Sequence, residues 1–285
     1  MEKLKIFWIK FRTLIVSKVV NLFAKQLNYD LDKTILILGS TRSGTTFLME
    51  SLNRNNDYRL IFEPFNPSYS REWEAFSARQ YLNPNKVSDQ ELRKVGHILS
   101  GKITNSWVDR YNRKLRSSAR IIKAVRANLL LDLIEQKFPQ VRIIYIYRNP
   151  YDVVASRIGL NFDPLDFQLI LEHDAFMKKY YPNIDAEKLV EKLNDNVHRH
   201  TAMWCLENRF ILQTMNQRNL INIHFEDVKG KTVELSETGL RVSDKKSRPS
   251  LTSSLHATYK LSPAEIEGVS SVLRYFNMGN YIELK

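Results

Sequence analysis

The chain has 285 residues, 43% hydrophobic and 26% charged, so a buried core is expected and a disordered protein is excluded. Its single cysteine, Cys205, excludes a disulfide framework and a thiolate zinc cluster, and it is typical of a reducing compartment or one where oxidation has no effect. Lysine and arginine (43) exceed aspartate and glutamate (31) by a formal charge of +12, which favours an acidic partner: nucleic acid, an anionic membrane or a phosphorylated small molecule.

The amino-terminal residues 1–27 alternate apolar clusters with four basic side chains, Lys5, Lys10, Arg12 and Lys18. Each central Lys or Arg costs about 2.5 to 3.5 kcal/mol on insertion, which disfavours a single-pass membrane anchor. No small-residue cleavage site follows, so a signal peptide is poorly supported. We predict a basic amphipathic helix over residues 1–31 that either packs on its own domain or touches a membrane peripherally through residues 1–27. We expect a cytoplasmic protein.

Strands and helices alternate along residues 32–285, which predicts one domain with a parallel sheet covered on both sides. The predicted strands are Thr34–Gly39, which is a continuous apolar run, and Arg59–Glu63, Arg120–Val125, Arg142–Arg148 and Leu220–Phe225. The predicted helices are Thr45–Leu52, Asn128–Phe138, one opened by Asn149 and Pro150, long stretches within residues 164–216, and one opened by Ser262. The expected fold is α/β, with a P-loop-like central parallel sheet flanked by helices on both faces.

The segment that joins the first strand to its helix, residues 35–48, reads ILILGSTRSGTTFL. A buried strand, a glycine-bounded loop and a helix start follow one another, so the loop N–H groups and the helix N-terminus converge on one anion. Gly39 and Gly44 have the spacing of the nucleotide-triphosphate loop, but Thr45 stands where that loop requires the lysine that reaches the β- and γ-phosphates. The only cation of the loop is Arg42. The segment predicts a phosphate site, with a plain tight turn as the alternative.

Two motifs of the chain resemble those of the sulfotransferases that use 3′-phosphoadenosine 5′-phosphosulfate. Residues 42–48, RSGTTFL, resemble the family's phosphosulfate loop, and residues 148–156, RNPYDVVAS, resemble its 3′-phosphate motif. The motifs lie about a hundred residues apart, in the family's order, each at a strand-to-helix junction. Weaker likenesses are Trp204 and residues 224–228, HFEDV, which resemble the family's Y-E-D-L segment. The resemblance spans residues 33–276 and implies sulfuryl transfer to a hydroxyl.

Within that family, the pattern is most similar to the carbohydrate sulfotransferases. IFEP at 61–64, IKAVR at 122–126 and ASRI at 155–158 resemble their L-F-E-P, their L-K-x-V-R and the end of their second motif. The cytosolic sulfotransferases of phenols and steroids carry K-T-H after the third strand, where the histidine is the base, whereas this chain has KAV at 123–125. The resemblance therefore implies a carbohydrate or glycolipid acceptor and a carboxylate base.

The resemblance also implies roles for single residues. The donor would be bound by Ser40, Thr41, Arg42, Ser43, Gly44, Thr45, Thr46, Phe47, Arg148 and Ser156. Arg42 and Lys123 would stabilise charge during an in-line transfer through a loose transition state, for which no metal is expected. Glu63, which ends the second predicted strand, is the candidate base. The alternatives are a surface cation at Arg42, an edge-strand lysine at Lys123, a carboxylate at Glu63 that pairs with Arg42 or caps a helix, structural polar groups at Arg148 and Ser156, and core packing for Phe47.

The stretch Asn66–Ser118 is predicted to carry acceptor contacts, with packing as the alternative, because it is rich in aromatic residues. They are Tyr69, Trp73, Phe76, Tyr81, Trp107 and Tyr111. No DNA- or RNA-binding signature is present, so no nucleic-acid partner is expected. Two other functions stay open: a magnesium-dependent P-loop kinase or NTPase, and a non-catalytic, membrane-associated anion-binding module built on the basic amino terminus.

Overall fold

The computed structural model describes residues 25–26, 28–112, 116–235, 240–243 and 259–284. The helix predicted over residues 1–31 lies outside the described residues as far as residue 24, and so does nearly all of the segment predicted for membrane contact. Where the description begins, Lys25–Gln26 form a short strand. Of the helices described, none combines the length and the apolar content that a bilayer crossing requires.

Five parallel strands form the central sheet, and they coincide with the five predicted runs. Strand β1 is Lys25–Gln26, and the sheet strands are β2 (Thr34–Leu38), β3 (Tyr58–Phe62), β5 (Ala119–Lys123), β6 (Arg142–Tyr147) and β7 (Ile221–His224), in the order β3-β5-β2-β6-β7. Two small pairs lie beside it: β1 with β4 (Arg116–Ser117), and the antiparallel β8 (Thr232–Leu235) with β9 (Leu240–Ser243).

The helices fill the connections between these strands. They are α1 (Thr45–Leu52), α2 (Asp89–Leu99), α3 (Leu131–Lys137), α4 (Pro150–Ile158), α5 (Gln168–Leu171), α6 (Asp174–Tyr180), α7 (Ala186–Lys192), α8 (Asn196–Leu212), α9 (Phe225–Val228) and α10 (Pro263–Tyr275). Two predicted starts carry the expected caps: Asn149 accepts a hydrogen bond from the Tyr151 amide, and Ser262 forms a capping box with Glu265.

Each sheet face is covered by its own hydrophobic core, as expected for a parallel sheet with helices on both sides. Along β2, Leu36 and Leu38 face a core built largely from α3, α4 and α8, while Ile35 and Ile37 face α1 and the β8–β9 pair. The α/β class and the placement of helices on both faces are therefore confirmed. Because both faces are filled, the loops at the strand ends are left to build a site.

Candidate active site

The predicted site residues lie at one edge of the sheet. The loop from Ser40 to Ser43 follows β2, Glu63 follows β3, Lys123 ends β5 and Arg148 follows β6. All four strands are parallel, so their carboxyl ends meet at the same edge, where α/β sheets bind their ligands.

The glycine-bounded loop has a backbone that side chains at its two glycines would disrupt. Gly39 has φ +152°, and a Cβ there would lie 2.2 Å from the Ile146 carbonyl oxygen. Gly44 has φ +90°, and a Cβ there would lie 2.3 Å from the Phe225 ring. Arg42 also adopts the left-handed region, with φ 76°. Neighbouring protein atoms therefore occupy the space beside both glycines, so packing requires glycine at these two positions.

Polar contacts fix the base of this loop. The Gly39 amide donates to Asn128 Oδ1 over 3.0 Å, and the hydroxyls of Ser40 and Ser43 are hydrogen-bonded over 2.9 Å. Ser40 and Ser43 are buried, whereas Thr41 and Arg42 are partly exposed. The loop runs directly into α1, whose cap residue Gly44 has no side chain to accept from the first helical amides.

The two predicted phosphate motifs are in direct contact. Arg42 Nε donates to Ser156 Oγ over 2.9 Å, which joins the loop after β2 to the helix α4 that follows β6. Burial, and then the nearby charge of Arg148, lower the pKa of Arg42. Two guanidinium groups therefore lie close enough to repel one another, and an anion between them would relieve that repulsion.

Arg148 contacts two carboxylates and one aromatic ring. Its Nη2 lies 2.8 Å from Asp152 Oδ2 and its Nε 3.4 Å from Glu226 Oε1, while its guanidinium packs 4.9 Å from the centre of the Phe225 ring. Phe225 also meets Phe47 edge to face, with ring centres 5.8 Å apart. Phe47 is partly exposed and packs against the edge of the core.

Glu63 and Lys123 form a buried ion pair beside the loop. Glu63 is 2% exposed, has φ 48°, and accepts at Oε1 from Lys123 Nζ and, over 3.3 Å, from the Val125 amide. Arg126 Nη1 lies 3.6 Å from the other oxygen, Oε2. Burial lowers the pKa of Lys123, an effect that Glu63 opposes.

This pairing corrects two of the alternatives that the sequence left open. Glu63 pairs with Lys123 and not with Arg42. Lys123 is not an edge-strand lysine, because β5 lies between β3 and β2. A lysine in the middle of a sheet is removed from water and needs an anionic partner, and Glu63 provides it.

Comparison with known proteins identifies the family. A family model described as the sulfotransferase family matches residues 34–235, which include the loop, the ion pair and the second motif. The chain belongs to the sulfotransferase family. A solved structure, the sulfotransferase domain from the Synechococcus PCC 7002 olefin synthase, is similar with 15% identity and a TM-score of 0.40, covering 89% of this chain and 95% of that one. A search of curated proteins finds no match.

The aromatic stretch of this sulfotransferase divides into core and surface. Trp73, Tyr81 and Tyr111 are buried and belong to the packing of the molecule. Tyr69 and Trp107 instead stack near the surface, with ring centres 3.8 Å apart and planes 12° from parallel, and Tyr69 is 47% exposed.

This stack adjoins the ion pair. The Trp107 ring contacts the Phe62 ring at 5.6 Å, and Lys123 Nζ lies 4.7 Å from the centre of that same Phe62 ring. The guanidinium of Arg110 lies 4.5 Å from the centre of the Trp107 ring. A partly exposed aromatic surface therefore reaches the carboxyl edge of the sheet from the side of β3.

Sequence analysis missed three contributors to the site of this sulfotransferase: Arg126, Phe225 and Glu226. The residues lie within segments that resemble family motifs, but nothing in those segments says which side chains meet. Phe225 covers Gly44 only because β7 lies next to β6 and α9 follows it directly. In the part of the chain that the structure describes, no cluster of three or more His, Cys, Asp or Glu side chains could hold a metal ion.

Proposed function

We propose that this sulfotransferase moves a sulfuryl group from 3′-phosphoadenosine 5′-phosphosulfate to a hydroxyl of a sugar or glycolipid. The observation that carries the proposal is the hydrogen bond between Arg42 and Ser156, because it makes the two anion-binding motifs neighbours. A donor with one phosphate at each end of its ribose needs two such neighbouring sites. The proximity of Arg42 and Arg148 supports the same ligand.

The donor supplies the sulfuryl group on its 5′-phosphate, and transfer in line through a loose transition state depends mostly on positioning and charge stabilisation. We assign the 5′ end to the loop residues Ser40, Thr41, Arg42, Ser43, Gly44, Thr45 and Thr46. Their N–H groups and hydroxyls, with the Arg42 guanidinium, would hold the charge that develops on the leaving oxygen. The positive φ angles of Arg42 and Gly44 support this assignment, since left-handed residues within a turn can direct successive N–H groups toward an anion.

We assign the 3′-phosphate to Arg148 and Ser156, and contact with the adenine ring to Phe47. A guanidinium can hold a phosphate with two parallel hydrogen bonds. The Arg148 side chain is 20% exposed, so a phosphate can compete with Asp152 and Glu226 for its donors. The edge-to-face contact with Phe225 would fix the orientation of the Phe47 ring.

We propose Glu63 as the general base. Its Oε2 accepts no hydrogen bond from any described residue, whereas Oε1 is held by Lys123 and the Val125 amide. The acceptor oxygen would attack sulfur, its proton would pass to Oε2, and the bond from sulfur to the bridging oxygen would break with its electrons going to the 5′-phosphate. We assign to Lys123 the stabilisation of the sulfuryl oxygens, which its position beside Glu63 supports.

The stack of Tyr69 on Trp107 supports a carbohydrate acceptor. The faces of aromatic rings suit the apolar faces of sugars, and this stack adjoins Phe62 and Lys123 at the same sheet edge.

The donor is tested by thermal shift and calorimetry with adenosine 3′,5′-bisphosphate, compared with ATP plus magnesium. We expect the bisphosphate to bind and stabilise the chain. We expect Arg148→Ala to weaken bisphosphate binding by about 10- to 150-fold, the range for a lost charge-assisted hydrogen bond. Arg274→Ala is the matched control, because it removes the same charge from an exposed pair on α10. A preference for ATP and magnesium would overturn the proposal in favour of a P-loop kinase or NTPase.

The base is tested with Glu63→Gln. Turnover is expected to fall by about 10²- to 10⁴-fold, the usual contribution of a positioned base, while bisphosphate affinity changes little. Turnover is measured by transfer of radiolabelled sulfate to a panel of mono- and oligosaccharide acceptors. Survival of turnover in the variant would require another base.

A further inference from the structure

A buried cluster of three charged side chains contacts the loop that follows β2. Glu207 of α8 is 0% exposed, and its two oxygens face two arginines: Oε1 is 2.7 Å from Arg79 Nη1 and Oε2 is 3.2 Å from Arg157 Nη2. Both arginine side chains are also buried. Replacing such a triad by apolar residues is often neutral or stabilising, so stability alone explains its presence poorly.

Each arginine of the triad reaches a different loop of the site. Arg157 donates from Nε and Nη2 to the Thr41 carbonyl, over 3.3 Å and 3.2 Å. Arg79 donates from Nη1 to the Val125 carbonyl over 2.6 Å. The first loop carries Arg42, and the second carries the amide that contacts Glu63. Glu207 thus pairs with one arginine that contacts the loop assigned to the donor and with another that contacts the loop beside Glu63.

The contact with Thr41 fixes the orientation of the next peptide group. In a trans peptide the carbonyl and the following N–H point in opposite directions, so a carbonyl held by Arg157 turns the Arg42 amide away from α4. Arg42 has φ 76°, a conformation that a residue other than glycine keeps only where its surroundings hold it. Consecutive residues of α4 do so: Ser156 accepts from the Arg42 side chain, and Arg157 holds the backbone before it.

We propose that Arg157, held in place by Glu207, is a positioning residue for the donor: it maintains the Thr41–Arg42 peptide in the turn that presents the Arg42 amide and guanidinium to the 5′ end of the donor. The inference rests on the proposed function. It predicts that the loop loses affinity for the donor's phosphates when Arg157 loses its planar fork, even if one positive charge remains beside Glu207.

The test compares Arg157→Lys with Arg79→Lys in the full chain. Both variants keep a positive charge beside Glu207 but replace a planar guanidinium by an ammonium group, which cannot make the same set of hydrogen bonds. Both are therefore expected to lose stability in urea unfolding. Calorimetry with adenosine 3′,5′-bisphosphate is expected to show about a tenfold or greater loss of affinity for Arg157→Lys only. Unchanged affinity in Arg157→Lys, or an equal loss in both variants, would overturn the inference.

A second pair of variants covers the case in which a lysine variant does not fold. Arg157→Met with Glu207→Met removes the fork and the buried carboxylate together, and leaves Arg79 its contact with Asp166. Arg79→Met alone keeps both Glu207 and the contact of Arg157 with Thr41. Only the double variant is expected to lose bisphosphate affinity, and the opposite order would refute the assignment. If the wild-type chain itself binds no bisphosphate, the proposed function fails; if it binds and the variants match it, only the role of Arg157 fails.

Discussion

Replacing either member of the Glu63–Lys123 pair should destabilise the folded chain strongly. The two side chains are 3% and 8% exposed, so the survivor of a single replacement keeps its polar group away from water. Breaking a buried pair in this way costs about 3 to 5 kcal/mol. We expect the low end, about 3 kcal/mol, for both Glu63→Gln and Lys123→Met, because each survivor retains a partial partner. Glu63 would still face Arg126, and Lys123 would still face the Phe62 ring.

The double variant isolates the interaction. Removing both charges leaves neither carboxylate nor ammonium buried, so Glu63→Gln with Lys123→Met should cost less than the sum of the single variants by about 2 to 3 kcal/mol. The free energy of unfolding is measured by urea titration with tryptophan fluorescence. Glu267→Gln is the control: its pair with Arg274 has a distance of 2.8 Å but side chains that are 65% and 56% exposed, so its loss should cost at most about 1 kcal/mol.

Two results would refute this reasoning. Single variants that cost no more than Glu267→Gln would mean that the pair is solvated. A double variant equal to the sum of the singles would mean that the two groups do not interact. Either result would also remove the basis for placing a base at Glu63, because a carboxylate with no fixed partner has no fixed orientation toward an acceptor.

Three further predictions concern single side chains. Burial lowers the pKa of His200 from 6.5 to about 4. Between these two pH values the unfolded chain therefore binds a proton at this side chain and the folded chain does not. Acidification over this range should lower the free energy of unfolding by about 3 kcal/mol. His200→Asn should abolish this contribution in urea midpoints from pH 7 to 4.5, and an unaltered slope would contradict it. Cys205 is buried, which raises the pKa of its thiol, so iodoacetamide should label it only in unfolded chain by mass spectrometry, and rapid native labelling would disprove the burial. Gly44→Ala should lower bisphosphate affinity by about tenfold or more, because its Cβ would clash with the Phe225 ring. The control, Gly96→Ala in helix α2, should leave the affinity unchanged and add up to about 1 kcal/mol of stability. Equal affinities in the two variants would show that the loop tolerates a side chain.

The central sheet was predictable because its strands are buried on both faces. Each strand therefore appears in the sequence as a short segment rich in apolar residues, and all five were found. The β1–β4 and β8–β9 pairs were not predicted: β1 and β4 have two residues each, and Glu234 and Arg241 interrupt the apolar residues of β8 and β9. The long helical stretches expected within residues 164–216 are divided into shorter helices, because Asp185 and Asp195 each cap a new helix start within them.

Which side chains meet at the site depends on the order of the strands in the sheet. That order cannot be predicted from local sequence. Adjacent placement of β2 and β3 would have brought Glu63 toward Arg42, the pairing considered from the sequence. In the structure β5 lies between them, and its register sets Phe62 opposite Lys123, so the first residue after β3 meets the end of β5. The motifs predicted which strand ends carry polar groups, and the topology decided their partners.

The same topology explains how a loop without the triphosphatase lysine can present a cation. The lysine of that loop would project from the first turn of the helix, but Thr45 at this position is buried. The cation comes instead from Arg42, within a turn whose left-handed backbone is costly for an arginine by about 1 to 3 kcal/mol. Helix α4 contacts that turn at its side chain and at its preceding carbonyl. The loop after β2 therefore depends on the motif after β6 for its own shape, so we expect damage to α4 to weaken binding at both of the phosphate sites proposed above.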